Sequence, residues 1–310
     1  MSGPPAIQTR ELAKRYGGGV VALAGLTMTV EAGQVFGFLG PNGAGKTTAV
    51  KLLLGLAQPS GGSGSVLGQP LGSREARRRI GYLPELFRYQ SWLRAREVLA
   101  AHCELAGVPS DRWAGQISSV LELVGLTDRA GDRVGSFSKG MQQRLGIAVA
   151  LLGDPEVVFL DEPTSALDPV GRADVRALIH HLREHGVTVF LNSHLLGEVE
   201  RVCDRVAIVD RGRVIVEGRI DDLLGSRSVR LRVTEFDGKA EASLGRFGPL
   251  TIEGDWLTIR PVEAERVPDI VATIVAGGGR VHAVEPGRAT LEDRFLALLQ
   301  IEEALEAAKS

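Results

Sequence analysis

A glycine-rich segment near the start of the chain has the composition and spacing of a phosphate-binding loop. It follows the apolar run Val35–Leu39 and opens an apolar helical stretch at Lys46. Glycines let main-chain N–H groups turn toward an anion, and the positive end of the helix dipole stabilises negative charge there. The pattern GxxxxGK[ST] adds a lysine for the outer phosphates and a hydroxyl for a divalent cation. The residues of this loop that we expect to contact the ligand are Gly40, Asn42, Gly43, Ala44, Gly45, Lys46, Thr47 and Thr48.

Two adjacent acids end another apolar strand, Val157–Leu160. A carboxylate at the tip of a strand beside a phosphate loop can hold Mg²⁺ through water. Side chains alternate along a strand, so Asp161 and Glu162 are expected on different sides and in different roles. Asp161, with the hydroxyl of Thr47, would serve the metal, and Glu162 would act as the general base that polarises an attacking water. The sequence therefore predicts a Mg²⁺ site next to an activated water.

The composition excludes several classes of protein. Of 310 residues, 36 are basic and 38 acidic, 44% are hydrophobic, and the formal net charge is −2. These are globular values, and the balance argues against a chain that coats nucleic acid. Apolar stretches fall short of the ~18 residues that span a bilayer, and residues 1–5 have no signal-peptide character. We expect a soluble chain in a reducing compartment, with Cys103 and Cys203 as small buried hydrophobes.

The order of elements predicts two domains. Strands and helices alternate up to about residue 225, which implies a mostly parallel sheet covered on both faces. A β-rich segment precedes this part, and residues from about 88 to 150 read as a helical subdomain. Residues 226–310 follow the order β-α-β-β-α-β of a small ferredoxin-like α+β domain. Its helices are expected at Lys239–Phe247 and Val262–Ala276, followed by a last helix from Thr290 to about Ala308.

A third motif identifies a family. The segment Phe137-Ser138-Lys139-Gly140-Met141-Gln142 resembles the LSGGQ signature of the ATP-binding cassette (ABC) family. Lys139 replaces the first signature glycine, and Met141 is a further departure. The resemblance implies that Ser138, Gly140 and Gln142 contact ATP bound to the opposite protomer of a pair. It covers roughly Ile7 to Leu224.

Other positions match the family residue by residue. The resemblance implies that Tyr16 stacks on adenine and that Asp168, in the D-loop, lies at the dimer interface. His194 resembles the switch histidine, which would hydrogen-bond the γ-phosphate and help to position Glu162 and water. Glu85 stands in the Q-loop, where many members have Gln, and as a carboxylate it can still be a Mg²⁺ ligand.

The resemblance also implies what the chain does. We expect the P-loop NTPase fold of the ABC ATPases, with a mostly parallel core sheet, an antiparallel β subdomain and a helical signature subdomain. We expect hydrolysis of ATP with Mg²⁺ in an ATP-sandwich homodimer, or in a pair with a related ATPase subunit. A separate transmembrane permease would supply the pore, which would place the chain in the cytoplasm on the inner face of the membrane.

Shorter matches suggest a narrower group. Gly81-Tyr82-Leu83-Pro84-Glu85 and Thr290-Leu291-Glu292-Asp293-Arg294-Phe295 resemble ATPase subunits of bacterial drug and antibiotic exporters with a C-terminal accessory domain. Two other classes are a cytosolic ABC ATPase of DNA repair or translation and a regulatory module that binds nucleotide without turnover. The segment with Phe87, Tyr89, Trp92 and Leu93 has two open interpretations, a docking surface for the permease and a core patch of the helical subdomain.

Overall fold

The computed structural model describes residues 3–225, 228–235, 243–287 and 290–307. The chain divides into two compact units, Met1–Arg219 and Ile220–Ser310. Each unit has a hydrophobic core of its own. The division lies a few residues before the domain boundary that the sequence suggested at 225/226.

The strands of the first unit form an antiparallel sheet and a mostly parallel sheet. The antiparallel sheet has the order β2-β1-β4-β5 and the other sheet the order β10-β9-β3-β8-β7-β6. Within the second sheet, β10 is antiparallel to β9 and the other neighbours are parallel. The strands are β1 (Ile7–Arg15), β2 (Val21–Val30), β3 (Val35–Leu39), β4 (Gly61–Val66), β5 (Gln69–Pro70), β6 (Ile80–Leu83), β7 (Val157–Asp161), β8 (Thr188–Asn192), β9 (Arg205–Asp210) and β10 (Arg213–Arg219).

The strand order determines where the functional residues meet. Every residue of β3, β7 and β8 is buried, which agrees with their continuous apolar sequences. In the sheet, β8 lies between β3 and β7. Because carboxyl ends of parallel strands share one edge, the segments that follow these three strands lie side by side. The edge therefore brings together the glycine-rich loop, the Asp161-Glu162 pair and His194.

The helices of the first unit cover the sheets and form the predicted helical subdomain. The phosphate-loop helix ends at Leu53, because Gly55 turns the chain with φ +70°. The helices α3, α4 and α5 pack against one another. The helices are α1 (Lys46–Leu53), α2 (Arg74–Arg77), α3 (Ala95–Ala106), α4 (Trp113–Leu123), α5 (Lys139–Ala150), α6 (Pro169–Glu184) and α7 (Leu196–Val202).

The second unit has the sheet order of a ferredoxin-like domain. Its strands lie in the order β12-β13-β11-β14, and each neighbouring pair is antiparallel. Of the predicted helix Lys239–Phe247, residues 239–242 lie outside the described residues, and Gly245–Phe247 form a short 3-10 helix. The helix predicted from Val262 begins at Val267, because Pro268 fits only a first helical turn. The elements are α8 (Ile220–Leu224), β11 (Ser228–Thr234), β12 (Leu250–Glu253), β13 (Trp256–Ile259), α9 (Val267–Ala276), β14 (Arg280–Gly287) and α10 (Leu291–Ala307).

Candidate functional site

The glycine-rich loop connects β3 to α1 and encloses an ammonium group. Lys46 Nζ donates hydrogen bonds to the main-chain oxygens of Gly40 and Pro41, at 2.6 and 3.0 Å. Gly45 caps α1 with φ +98°, and a Cβ atom there would lie 2.4 Å from the carbonyl oxygen of Ala22. Only glycine fits this position. The loop therefore has the turned backbone and the positive charge that a phosphate group requires.

The charge of Lys46 faces the acids predicted to act with it. Burial lowers the pKa of Lys46, and the negative charges of Glu162, Asp161 and Glu85 oppose this shift of its pKa. The side chains of Thr47 and Asn42 are exposed and Ala44 is buried. A cation among three carboxylates at the mouth of the loop can bind the outer phosphates of a nucleotide and leave the carboxylates to a metal and water.

Asp161 is the last residue of β7 and is almost completely buried. Its relative exposure is 4%, and its Oδ1 accepts a 2.6 Å hydrogen bond from Asn192 Nδ2. Burial raises the pKa of Asp161, and the bond from Asn192 opposes this rise. Sequence reasoning gave Asn192 no role. The sequence held a signal for such a role, because Asn192 directly follows the apolar residues of β8. In the structure, Asn192 pairs with Asp161 across β8 and β7.

The donors at this edge fit a magnesium ion. Thr47 offers a hydroxyl and Asp161 a carboxylate, which are the oxygen ligands that Mg²⁺ prefers. The buried Asn192 Oδ1 has no hydrogen-bond partner, so an acceptor for a metal-bound water is available beside Asp161. Among the described residues, no group of three or more His, Cys, Asp or Glu could hold a metal by itself. This pattern suits Mg²⁺, which keeps several waters and substrate phosphates as ligands.

Glu162 has an unusual backbone and a nearly complete set of hydrogen bonds. Its φ is +53°, in the left-handed region, and its relative exposure is 8%. One carboxylate oxygen accepts from the main-chain N–H of His194 at 2.9 Å, and the other lies 2.9 Å from His194 Nδ1. Ser193 Oγ donates a further, longer bond of 3.4 Å. Asp161 and Glu162 thus have different partners. The left-handed turn at Glu162, and not the regular alternation that the sequence suggested, separates the two side chains, and their different roles stay a prediction.

Glu85 lies within electrostatic reach of this group. Glu85 is exposed just after β6. Burial raises the pKa of Asp161 and of Tyr82, and the negative charge of Glu85 adds to both rises. The structure therefore brings together five of the residues that the sequence singled out. These are Lys46, Glu85, Asp161, Glu162 and His194.

The signature and D-loop residues form a second group around the starts of two helices. Ser138 Oγ caps α5 by accepting from the main-chain N–H of Met141 at 3.2 Å, and Asp168 Oδ1 caps α6 by accepting from Gly171 at 2.7 Å. Ser138, Gly140 and Asp168 line one groove. Gln142 Nε2 instead donates to the carbonyl oxygen of Phe137, at 3.2 Å. Its amide is therefore engaged in the turn that precedes α5.

Tyr16 presents an aromatic ring at the end of β1. Its relative exposure is 43%, and Lys14 Nζ lies 5.0 Å from the centre of the ring. An exposed ring with a cation against one face can stack its other face on a flat base. The position agrees with the adenine contact that the resemblance implies, and that contact remains a prediction.

The aromatic segment after Glu85 has two kinds of residue. Phe87 and Tyr89 contact each other with ring centres 5.4 Å apart, and Tyr89 also meets His102. Burial strongly raises the pKa of Tyr89. These contacts favour the second of the two open interpretations for Phe87 and Tyr89, a packed patch of the helical subdomain. Trp92, at 68% exposure, and the neighbouring Leu86, at 88%, are the apolar side chains left accessible.

Comparison with known proteins identifies the family. Residues 23–165 match the family model described as "ABC transporter". The chain is 42% identical to the bacitracin transport ATP-binding protein BcrA of Bacillus licheniformis, over 70% of this chain and 71% of that protein. It is 36% identical to the Nod factor export ATP-binding protein I of Burkholderia orbicola, over 94% and 96%. The chain therefore belongs to the ABC transporter family, as an ATP-binding subunit.

Further similarities extend this assignment. The chain is 38% identical to the methionine import ATP-binding protein MetN of Caulobacter vibrioides, over 89% of this chain and 87% of that protein. A solved structure described as the ATP binding subunit of an ABC transporter matches with TM-score 0.64 and 29% identity, over 70% of this chain and 91% of that one. Among the described residues, no helix is both long and apolar enough to cross a bilayer.

The position of Lys46 generates a test of the phosphate loop. Lys46→Ala should weaken ATP binding at least tenfold, because it removes the cation that faces the outer phosphates. The matched control is Lys51→Ala, which removes an exposed lysine from the last turn of the same helix. Titration of both variants with a fluorescent ATP analogue measures the change. Equal affinity in the two variants would contradict the assignment of the loop.

Proposed function

We propose that the chain is the ATP-hydrolysing subunit of an exporter, and that the residues grouped at the carboxyl edge of the core sheet carry out hydrolysis. The family assignment establishes an ATPase subunit that powers a transporter and works with ATP and Mg²⁺. The observation that supports the residue roles is the contact between Glu162 and His194 next to the charge of Lys46. A module that binds nucleotide without turnover would not need this arrangement.

In the proposed reaction, water attacks the γ-phosphorus of ATP and the bond to the β-phosphate oxygen breaks. The carboxylate of Glu162 accepts a proton from the attacking water. His194 orients the carboxylate of Glu162 through its Nδ1 and its main-chain N–H. The same side chain can contact the γ-phosphate. Lys46 compensates negative charge on the outer phosphates. Mg²⁺, when bound by Thr47 and Asp161 with Glu85 nearby, supplies further charge neutralisation.

The proposed site is completed by a second chain. Chains of this family act as dimerising ATPase subunits of transporter complexes. We propose that Ser138, Gly140 and Asp168 face ATP held by the partner, whereas Gln142 supports their turn through Phe137. A homodimer satisfies this requirement, as does a pair with a related subunit. A permease would bind the assembly at the membrane, and the exposed Leu86 and Trp92 are suited to that contact.

The role of Glu162 is tested by removing its charge. Glu162→Gln should lower ATP turnover at least a hundredfold while ATP still binds, because the amide cannot accept the proton. The ATP-bound pair should then accumulate and elute as a dimer in size-exclusion chromatography. The control is Glu156→Gln, at the opposite end of β7, where the carboxylate only pairs with exposed Arg79. Turnover that persists in the Glu162 variant would refute its role as general base.

The names of the relatives include both export and import. We favour export of drugs, antibiotics or other hydrophobic compounds because the bacitracin transport and Nod factor export proteins are similar to this chain. The similarity to the methionine import protein would instead favour import.

A comparison of two cargo classes in cells distinguishes export from import. Cells whose chain carries Glu162→Gln should retain ethidium or bacitracin several-fold longer than wild-type cells, and should take up labelled methionine at the wild-type rate. Retention measured by fluorescence and uptake measured by scintillation give the two values. Reduced methionine uptake with unchanged retention would overturn the proposal, and unchanged values for both would count against drug-like cargo.

We propose a regulatory or dimer-stabilising role for the second unit. Its own core and sheet give it the form of an accessory domain. A chain that ends at Arg219, the limit of the first unit, should bind ATP normally but form the ATP-dependent dimer less readily. Sedimentation measures dimer formation and phosphate release measures turnover. A truncated chain with the dimerisation and turnover of the full chain would contradict this role.

A further inference from the structure

The carbonyl oxygen of Glu162 accepts hydrogen bonds from two side chains. Ser165 Oγ donates at 3.1 Å from within the same turn. Gln143 Nε2 donates at 3.4 Å from the helix α5, which begins with the signature residues. Gln143 is only 6% exposed, so its amide is held in this place by the surrounding packing. Sequence reasoning gave no role to Gln143.

The backbone of Glu162 needs such support. A left-handed conformation is unfavourable for a residue with a side chain and persists where neighbouring groups determine it. The direction of the Glu162 carboxylate follows from that conformation. A donor on the carbonyl oxygen therefore influences where the proposed base points, although it does not touch the substrate.

The helix α5 is also tied to the start of α6. Arg144 Nη2 donates to Asp174 Oδ2 at 2.6 Å, and a Cβ atom on Gly140 would lie 3.3 Å from Leu167 Cδ2. The signature residues Ser138 and Gly140 and the residue Gln143 therefore belong to one helix and its cap. A shift of this helix moves all three together.

We propose that Gln143 is a positioning residue that couples the two ATP sites of a pair. The inference rests on the proposed function, in which Ser138 and Gly140 contact the partner's ATP and Glu162 acts on ATP of its own chain. Occupation of the partner's site shifts α5, and the hydrogen bond from Gln143 passes that shift to the backbone of Glu162. ATP in one site then sets the direction of the base in the other.

The test removes the amide and keeps the side-chain size. In the full chain, Gln143→Leu should lower the maximal ATPase rate roughly fivefold, the effect of one lost hydrogen bond, and bring the Hill coefficient for ATP from above one to one. ATP affinity should stay within about twofold of wild type, since the amide of Gln143 bonds the backbone of Glu162 and the phosphates bind at the separate loop around Lys46. The matched control is Gln116→Leu, because Gln116 also bonds a main-chain group, Gly153 N–H at 2.9 Å. It should keep the wild-type Hill coefficient.

The outcomes separate coupling from other effects. A Hill coefficient that is unchanged by Gln143→Leu overturns the proposal, whether or not the rate falls, and so does a coefficient of one in the wild-type protein. Failure of pairing is distinguished by adding Gln143→Leu to Glu162→Gln. The double variant should still form the ATP-dependent dimer, whereas absence of a dimer in Glu162→Gln alone would refute the proposed pairing itself. Melting temperatures close to that of the Gln116 variant show that the fold is intact.

Discussion

The burial of two adjacent carboxylates is the constraint on which the site depends. Asp161 and Glu162 are 4% and 8% exposed, and a buried charge is costly unless hydrogen bonds and opposite charge stabilise it. The amide of Asn192 stabilises Asp161, and the N–H of His194 stabilises Glu162. Both donors come from the end of the neighbouring strand β8 and the residues just after it. The edge with the proposed catalytic residues is therefore stable only when β7 and β8 pair in this register.

The same constraint explains the arrangement of the phosphate loop. The strand β3 lies on the other side of β8, so the loop that follows it brings the cation of Lys46 toward the two acids. Carbonyl oxygens of the loop accept hydrogen bonds from the ammonium group of Lys46. Phosphate oxygens can replace these carbonyls, and the acids remain for metal and water. In the proposed function, one row of parallel strands thus separates the residues that bind phosphate from those that activate water.

Sequence reasoning predicted the motifs and their elements well, and it failed where packing decides. The loop from Gly40 to Thr47 and the acids after Val157–Leu160 were recognisable because their spacing reflects local backbone geometry. The sequence left Phe87 and Tyr89 open between a core patch and a docking surface, because an aromatic residue in a loop has the same sequence pattern whether it covers a core or contacts a partner. The left-handed turn at Glu162 had no signal of its own, since that conformation is imposed by neighbours.

The sequence by itself determined the family, the nucleotide chemistry and the order of the elements, because these depend on residues that are close together along the chain. The tertiary structure decided which distant residues support them. Asn192, Ser193 and Gln143 acquire their roles only because β8 and α5 bring their polar atoms to Asp161 and Glu162. The physical reason is that a buried polar group needs a partner at hydrogen-bond distance, and folding alone determines which residue lies there.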